Sequence, residues 1–483
     1  MGFTMLSTFR PVLISSLAVV ALVGLGVIVA APSSAAGTST TMTVATNGND
    51  HAAGTAAAPL RTLQAAIKRL PNGGTVDVRG GRYYQKIDLS GVTGITVEPH
   101  QHEHVVLDGS RFAPADGRSA MVNITGSSHV TVGGLDVADY RSSRINAMPI
   151  GIYLHGADDH IHITANHVHD LGNDNQTLGS FDINAHGIAV YGDNAAHSIT
   201  DLTISGNEVD HLSLGASESV VVNGNVDGWS ISGNDIHNNN NIGIDAIGYE
   251  PTLPGKDRYT DLNRARNGVI ADNTVSYIRS QGNPAYYEDG SWCNCADGIY
   301  VDGATHVVIR NNVVTGNDIG IEVAAENARG SADHVDVRSN TITNSLYVGI
   351  ATGGYCDGAT DCGDVKTGQS HDNDFIGNIL GNNNKLNDGS PEILIQFYAF
   401  NNVFENNTVT ATNDAGALLG TVDRADADEL SGHNVSDKNT FAVSGSSVVS
   451  FGWLGHTYSS FTAYQRATGQ DLHSTLSSSS ANH

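Results

Sequence analysis

Residues 297–321 read DGIYVDGATHVVIRNNVVTGNDIGI, and this stretch decides the fold. It opens and closes on the same dipeptide, Gly298-Ile299 and Gly320-Ile321, 22 residues apart. Between them apolar and polar residues alternate, and Asn312 is followed two places later by Val314. Period-2 alternation belongs to strands, and no 3.6-residue period competes with it. Twenty-two residues hold three short strands and their turns, which is one coil of a solenoid.

The same two signals recur on either side. The Asn-plus-aliphatic strand returns at Asn166, Asn207, Asn234, Asn273, Asn340, Asn378 and Asn407. The Gly-Ile strand returns at Gly151-Ile152, Gly187-Ile188, Gly243-Ile244 and Gly349-Ile350, with longer spacings that place extra residues in loops. A coil cannot bury its own apolar face, so stacked coils share one core, and the chain is expected to be an all-β, single-stranded parallel β-helix. Asn at one corner of successive coils is expected to form a hydrogen-bonded ladder. Solenoid ends expose strand edges and need covers. Leu60, Leu63, Ile67 and Leu70 lie at helical spacing before the strand TVDVRG and predict an N-terminal capping helix, and FTAYQRATGQDLHSTL is placed over the other end. No Pro- or Gly/Ser-rich linker interrupts residues 37–475, which read as one domain; the Ser-rich residues 476–483 read as a disordered tail.

Of the 483 residues, 24 are Lys or Arg and 50 are Asp or Glu, for a net charge of −26. Phosphate contacts need clustered basic side chains, so nucleic acid is not an expected partner. Arg10, an apolar run from Pro11 to Ala31 and Ser34-Ala35-Ala36 read as a secretory signal over residues 1–36. An apolar run of about 20 residues can also span a bilayer, but the small residues behind it favour cleavage. The expected product is a secreted, extracellular monomer with no membrane contact. Cys293, Cys295, Cys356 and Cys362 then favour disulfides, and three pairings are open.

The ATNGNDHAAGTAAAPLRTLQAAI opening, the Asn-bearing coils, DGIYVDG and the ATGQDLHS tail resemble the right-handed parallel β-helix proteins of the polysaccharide lyase and glycoside hydrolase type, with the pectin-lyase-like fold. The resemblance covers nearly all of residues 37–483 and implies a carbohydrate-processing role without choosing the reaction. A signature of the polygalacturonase-like hydrolases is missing; His186-Gly187 echoes it only in part.

With each Ile of the Gly-Ile strands pointing inward, the next residue points outward. The first outward column reads Tyr153, Ala189, Asp245, Tyr300, Glu322 and Ala351; the second reads His155, Tyr191, Ile247, Asp302, Ala324 and Gly353. Coils about 4.8 Å apart and a two-residue step of about 6.7 Å put Asp302 about 8 Å, backbone to backbone, from Asp245 and from Glu322. Inverting glycosidases separate acid and base by about 6.5–9.5 Å. Asp245, Asp302 and Glu322 are therefore the expected catalytic set. Tyr249, Glu250, Arg258, Tyr300, Glu326 and Trp292 are expected to bind a polysaccharide, with Lys256, Arg264, Arg266, Tyr286 and Tyr287 on the same long loops. The bland alternative is solvated carboxylates on a solenoid surface with ordinary loop packing.

No cofactor is required on this reading. Ca²⁺ is the one metal considered, with Asp297, Asp357, Asp361 and Asp364 as oxygen ligands. It matters most to the alternative reading, a lyase or epimerase on a uronic-acid polymer, where Lys256, Lys366 or Arg258 would supply the base. A non-catalytic glycan-binding solenoid is the third. His186 is expected to make a structural hydrogen bond, and the 21 His are scattered without an HExxH motif.

Overall fold

The computed structural model describes residues 40–354, 368–412, 416–421, 432–444 and 449–479. The expected signal (1–36), Cys356, Cys362, Asp357, Asp361, Asp364 and Lys366 lie outside the described residues. Among the described residues no helix is long and apolar enough to cross a membrane.

The expected parallel β-helix forms. Three long sheets of 16, 13 and 13 strands run along it, paired almost throughout in parallel from coil to coil. The coil read first from sequence divides into strands Asp297–Asp302, Thr305–Arg310 and Val313–Thr315, before Ile319–Ala324 starts the next. Ile152, Ile188, Val220, Ile244, Ile299, Ile321 and Ile350 stack in register down one inner face, each 0% exposed. Each such side chain contributes about 1.5–3 kcal/mol by leaving water, so the stack is a spine of the core.

The glycine before each Ile has a steric cause. A Cβ on Gly320 would stand 2.2 Å from the Gly349 carbonyl oxygen, and one on Gly243 2.5 Å from that of Gly298. The chain of the next coil passes too close for any side chain. One coil breaks this rule and was missed in the sequence. Strand Val220–Gly224 lies between His186–Gly192 and Ile244–Ile247, with Ser219 where its neighbours have Gly; its hydroxyl donates to the Ile242 carbonyl at 3.0 Å. The outward columns therefore gain Val221 and Asn223.

The Asn ladder runs from Asn166 through the expected positions to Asn407 and on to Asn439. At a typical rung, Asn207 donates its backbone N–H and its Nδ2 to Asn234 Oδ1, both at 2.9 Å, and Nδ2 also to the Ile163 carbonyl. The residue before each ladder Asn turns the corner in the left-handed region, as Gly206 (φ 63°) and Ala165 (φ 55°) do.

The capping helix spans Leu63–Lys68, with Thr62 accepting from the Ala65 N–H at its start. Leu60, Leu63, Ile67 and Leu70 are all buried. It follows rather than precedes the first strand: Thr41–Val44 pairs with Gly74–Val78. At the other end a helix spans Phe461–Thr468 and buries Tyr464. Residues 476–479 are not tail, because strand Thr475–Ser479 pairs with Thr440–Ser444.

Candidate active site

Three consecutive strands of one sheet, Ile244–Ile247, Asp297–Asp302 and Ile319–Ala324, present carboxylates on their outer face, and Glu218 stands just before the preceding strand, Val220–Gly224. In register, Asp245 pairs with Tyr300 and Tyr300 with Glu322. Asp302 is thus diagonal to both carboxylates, as the spacing predicts. These groups are not a solvated surface: Asp245 is 2% exposed, Asp302 6% and Glu322 1%. Loops close over them.

The set nevertheless divides. Asp245 and Asp302 open into a cavity of about 430 Å³, together with Glu218, Glu250 and Glu326. Phe181, Tyr286 and Ile242 complete much of its wall. No Lys, Arg or His is among its described lining residues. Glu322 instead opens into a neighbouring cavity of about 470 Å³ with Tyr347, Leu394 and the Cys293–Cys295 disulfide. There it accepts from Gln396 Nε2 at 3.1 Å. Asp297 hydrogen-bonds Glu322.

Burial raises Asp245 well above the usual carboxylate range, and the charges of Glu218 and Asp302 raise it further. Its Oδ1 has no hydrogen-bonding partner among the described residues. Asp302 is raised by burial and by Glu326, but its Oδ1 accepts the Glu326 backbone N–H at 2.7 Å, which favours the charged form. Burial and the charge and hydrogen bond of Glu322 hold Asp297 high. At the exposed rim, Glu326 is raised to about 7 by desolvation in the mouth and by Glu250. Glu250, at the same exposed rim, is raised by desolvation in the mouth and by Glu218 against a 2.6 Å hydrogen bond from Asn223 Nδ2. Like charges gathered out of water cost stability, an arrangement typical of sites that use the protons.

Glu250 and Glu326 therefore reach the cavity, and Tyr300 lies 2% exposed between Asp245 and Glu322. The remaining expected binding residues serve the loops. Tyr249 packs under the Arg264 guanidinium, 5.1 Å from its ring centroid. Arg258 donates to the Tyr249 carbonyl at 3.0 Å. Trp292 meets Tyr287 edge-on in a small hairpin and lines neither cavity. Arg264 and Arg266 are staples, Arg264 to three backbone carbonyls and Asp333, and Arg266 to Asp227 and Asn225. His186 is buried behind Glu218, between the Glu218 carbonyl and the Tyr191 hydroxyl, both at 3.3 Å. Asp297 belongs to no described group of three ligand atoms lying within 4.8 Å of one another.

Glu218, Phe181 and Asn184 were missed. Glu218 sits on the coil without Gly-Ile, directly before Ser219-Val220, so aligning that coil by its Val would have found it. Phe181 and Asn184 come from an irregular loop with no repeat signal. Phe181 is 55% exposed and meets Tyr286 edge-on at 5.4 Å.

No protein-family model matches the chain. It is 36% identical over 435 residues to the uncharacterized protein YwoF of Bacillus subtilis strain 168, covering 89% of this chain and 86% of that one. The chain belongs to the YwoF family. Among solved structures, this YwoF-family solenoid is similar to the A-module of the mannuronan C-5 epimerase AlgE6 of Azotobacter vinelandii, with a TM-score of 0.53, 15% identity and coverage of 87% of this chain and 95% of that one. It is also similar to a GH136 lacto-N-biosidase of Eubacterium ramulus, with a TM-score of 0.51, 14% identity and coverage of 83% and 67%. At such identities the likeness shows the right-handed parallel β-helix fold alone.

Proposed function

We propose that this YwoF-family protein is a secreted glycoside hydrolase acting on an extracellular polysaccharide that carries no carboxylates, with Asp245 as general acid and Asp302 as general base. The observation that carries the reading is the unequal treatment of two neighbouring buried carboxyls. Burial and like charges raise both, but Asp245 has a bare oxygen whereas Asp302 accepts a backbone N–H that favours its charged form. A difference of this kind between neighbouring carboxyls assigns the acid role to Asp245 and the base role to Asp302. Their backbones stand about 8 Å apart, which accommodates the carboxyl spacing of an inverting enzyme, and inversion of the anomeric centre is the expected outcome. Phe181 offers a sugar ring an exposed aromatic face at the mouth.

The lining also argues against a uronic-acid polymer. Five carboxylates line the cavity with no basic side chain among its described lining residues, His186 lying behind Glu218, and would repel a substrate carboxylate; lyase or epimerase chemistry needs that charge neutralised. Structure neighbours include enzymes named for both chemistries, so the test must separate them. Purified protein is incubated with neutral, amino-sugar and uronate polysaccharides, with and without a calcium chelator. New reducing ends without near-ultraviolet absorbance, lost in Asp245→Asn and Asp302→Asn, are expected. Unsaturated products from a uronate, abolished by chelator, would replace hydrolysis with elimination, and binding without any product would remove catalysis altogether.

A further inference from the structure

The histidines that look scattered in the sequence gather on a different sheet of the solenoid. Strand His167–His169 alternates His-Val-His, so Val168 enters the core at 0% exposure while both imidazoles face outward. On one side His167 pairs in register with Asp136; on the other it pairs with Glu208, and His169 with Asp210. Two imidazoles therefore stand between carboxylates supplied by the coils before and after.

The nitrogens converge on those carboxylates. His169 Nε2 is 2.6 Å from Asp136 Oδ1, and His167 Nε2 is 2.9 Å from Asp210 Oδ1. The two rings stack with centroids 4.0 Å apart. Asp136, His167 and His169 offer ligand atoms that all lie within 4.8 Å of one another; His167, Glu208 and Asp210 do the same. Outer partners fix the rings: Asp170 holds His169 Nδ1 at 2.8 Å, which turns Nε2 towards Asp136, and His211 holds the other oxygen of Asp210 at 2.6 Å. A carboxylate behind a ligating imidazole is a recurrent feature of metal sites. The groups are partly sheltered, with side chains 15% exposed at Asp136 and 21% at His169.

We propose that Asp136, His167 and His169, with Asp210 or Glu208 completing the set, bind a divalent transition-metal ion of the zinc class. Ligand atoms about 2.0–2.1 Å from a tetrahedral ion stand about 3.3 Å apart, so the two nitrogen–carboxylate contacts need to open by less than an ångström and the remaining pairs, within 4.8 Å, to draw in. Two imidazoles select such an ion over Ca²⁺, which prefers an all-oxygen shell. Bound there, it ties three successive coils together across their outer face.

The experiment uses the untagged full chain stripped with a chelator, titrated with ZnCl₂ by calorimetry and by competition with a chromogenic chelator. One site is expected, together with a rise in melting temperature on adding zinc, since a ligand that binds only the folded state stabilises it. His167→Ala with His169→Ala should abolish both signals, and Asp170→Asn should weaken binding by about 10–100-fold. His129→Gln/His160→Gln and His306→Gln/His334→Gln, at the other His–Asp clusters, should leave the site intact. Absence of binding in the wild type overturns the proposal, as does binding unchanged in the His167/His169 variant. Should that variant not fold, zinc-edge X-ray absorption of the wild type decides: two imidazoles in the shell support the site, and an oxygen-only shell refutes it.

Discussion

Replacing Asp245 with Asn should produce a protein that is less active and, above neutral pH, more stable. Asp245 and Asp302 sit on adjacent strands two residues out of step, their backbones about 8 Å apart by strand geometry. At an effective dielectric of about 20, two unit charges at that distance repel by about 2 kcal/mol. In the folded protein Asp245 holds its proton to higher pH than in the unfolded chain. Between the ordinary carboxylate range and that raised value the folded state binds more protons, so wild-type stability falls as pH rises. Asn does not titrate. The two proteins should be matched near pH 4 and separated by about 2 kcal/mol in favour of Asp245→Asn at pH 8, measured by urea unfolding followed through tryptophan fluorescence. Loss of a general acid costs about 10²–10⁴ in rate, read as reducing ends released. An Asn variant destabilised equally at both pH values, with its activity retained, would show that Asp245 is a structural group and refute the reasoning.

Three further outcomes can be measured in the same way. Glu392 is 1% exposed and raised to about 7 from 4.5 by burial, against hydrogen bonds from Asn383. At 1.36 kcal/mol per pKa unit it removes about 3 kcal/mol of stability as pH rises from 4.5 to 7, and Glu392→Gln should flatten that fall in a pH series of unfolding curves. Asn234→Ala leaves the Asn207 N–H and the Ile204 carbonyl without their side-chain partner. At about 1–3 kcal/mol for each buried group left unpaired, a loss of about 2–6 kcal/mol is expected, with hydrogen-exchange protection falling first in the adjoining coils. Ala165 is exposed and turns a corner at φ 55° where equivalent positions hold Gly206 and Gly233; Ala165→Gly should raise stability by up to about 1 kcal/mol, seen as a higher urea midpoint.

The parts of this molecule legible in its sequence are those enforced at every coil. Gly-Ile recurs because a neighbouring carbonyl occupies the space of a Cβ, and ladder Asn recurs because each satisfies the next. These repeated constraints leave a period that can be read, and from it the diagonal placement of Asp302 against Asp245 and Glu322 follows. Where a constraint had a second solution the reading slipped. Ser219 stands where the other coils have glycine and turns its hydroxyl onto the Ile242 carbonyl of the next coil, so its coil went uncounted and Glu218 with it. The burial of the carboxylates was equally hidden. Phe181 and Tyr286, which help to enclose Asp245, lie 64 and 41 residues from it in the chain and obey no period. The basic loop residues misled for a related reason: Arg264 and Arg266 look like substrate ligands by composition, but backbone carbonyls in the same loops need donors, and these guanidiniums supply them.

The strict register across the site makes it editable in whole turns. Residues 298–319 form one complete coil of 22 residues, and Gly320-Ile321 repeats the dipeptide that begins it. Excising that coil would rejoin the chain with every inward Ile and ladder Asn still in step. It would take away Asp302 and Tyr300 and bring Glu322 into the position beside Asp245 that Tyr300 now fills. The acid would then face a carboxylate one rung away in place of a diagonal one. Gain or loss of a single turn would thus exchange one arrangement of carboxyls for another without a point mutation in the site and with the core unchanged.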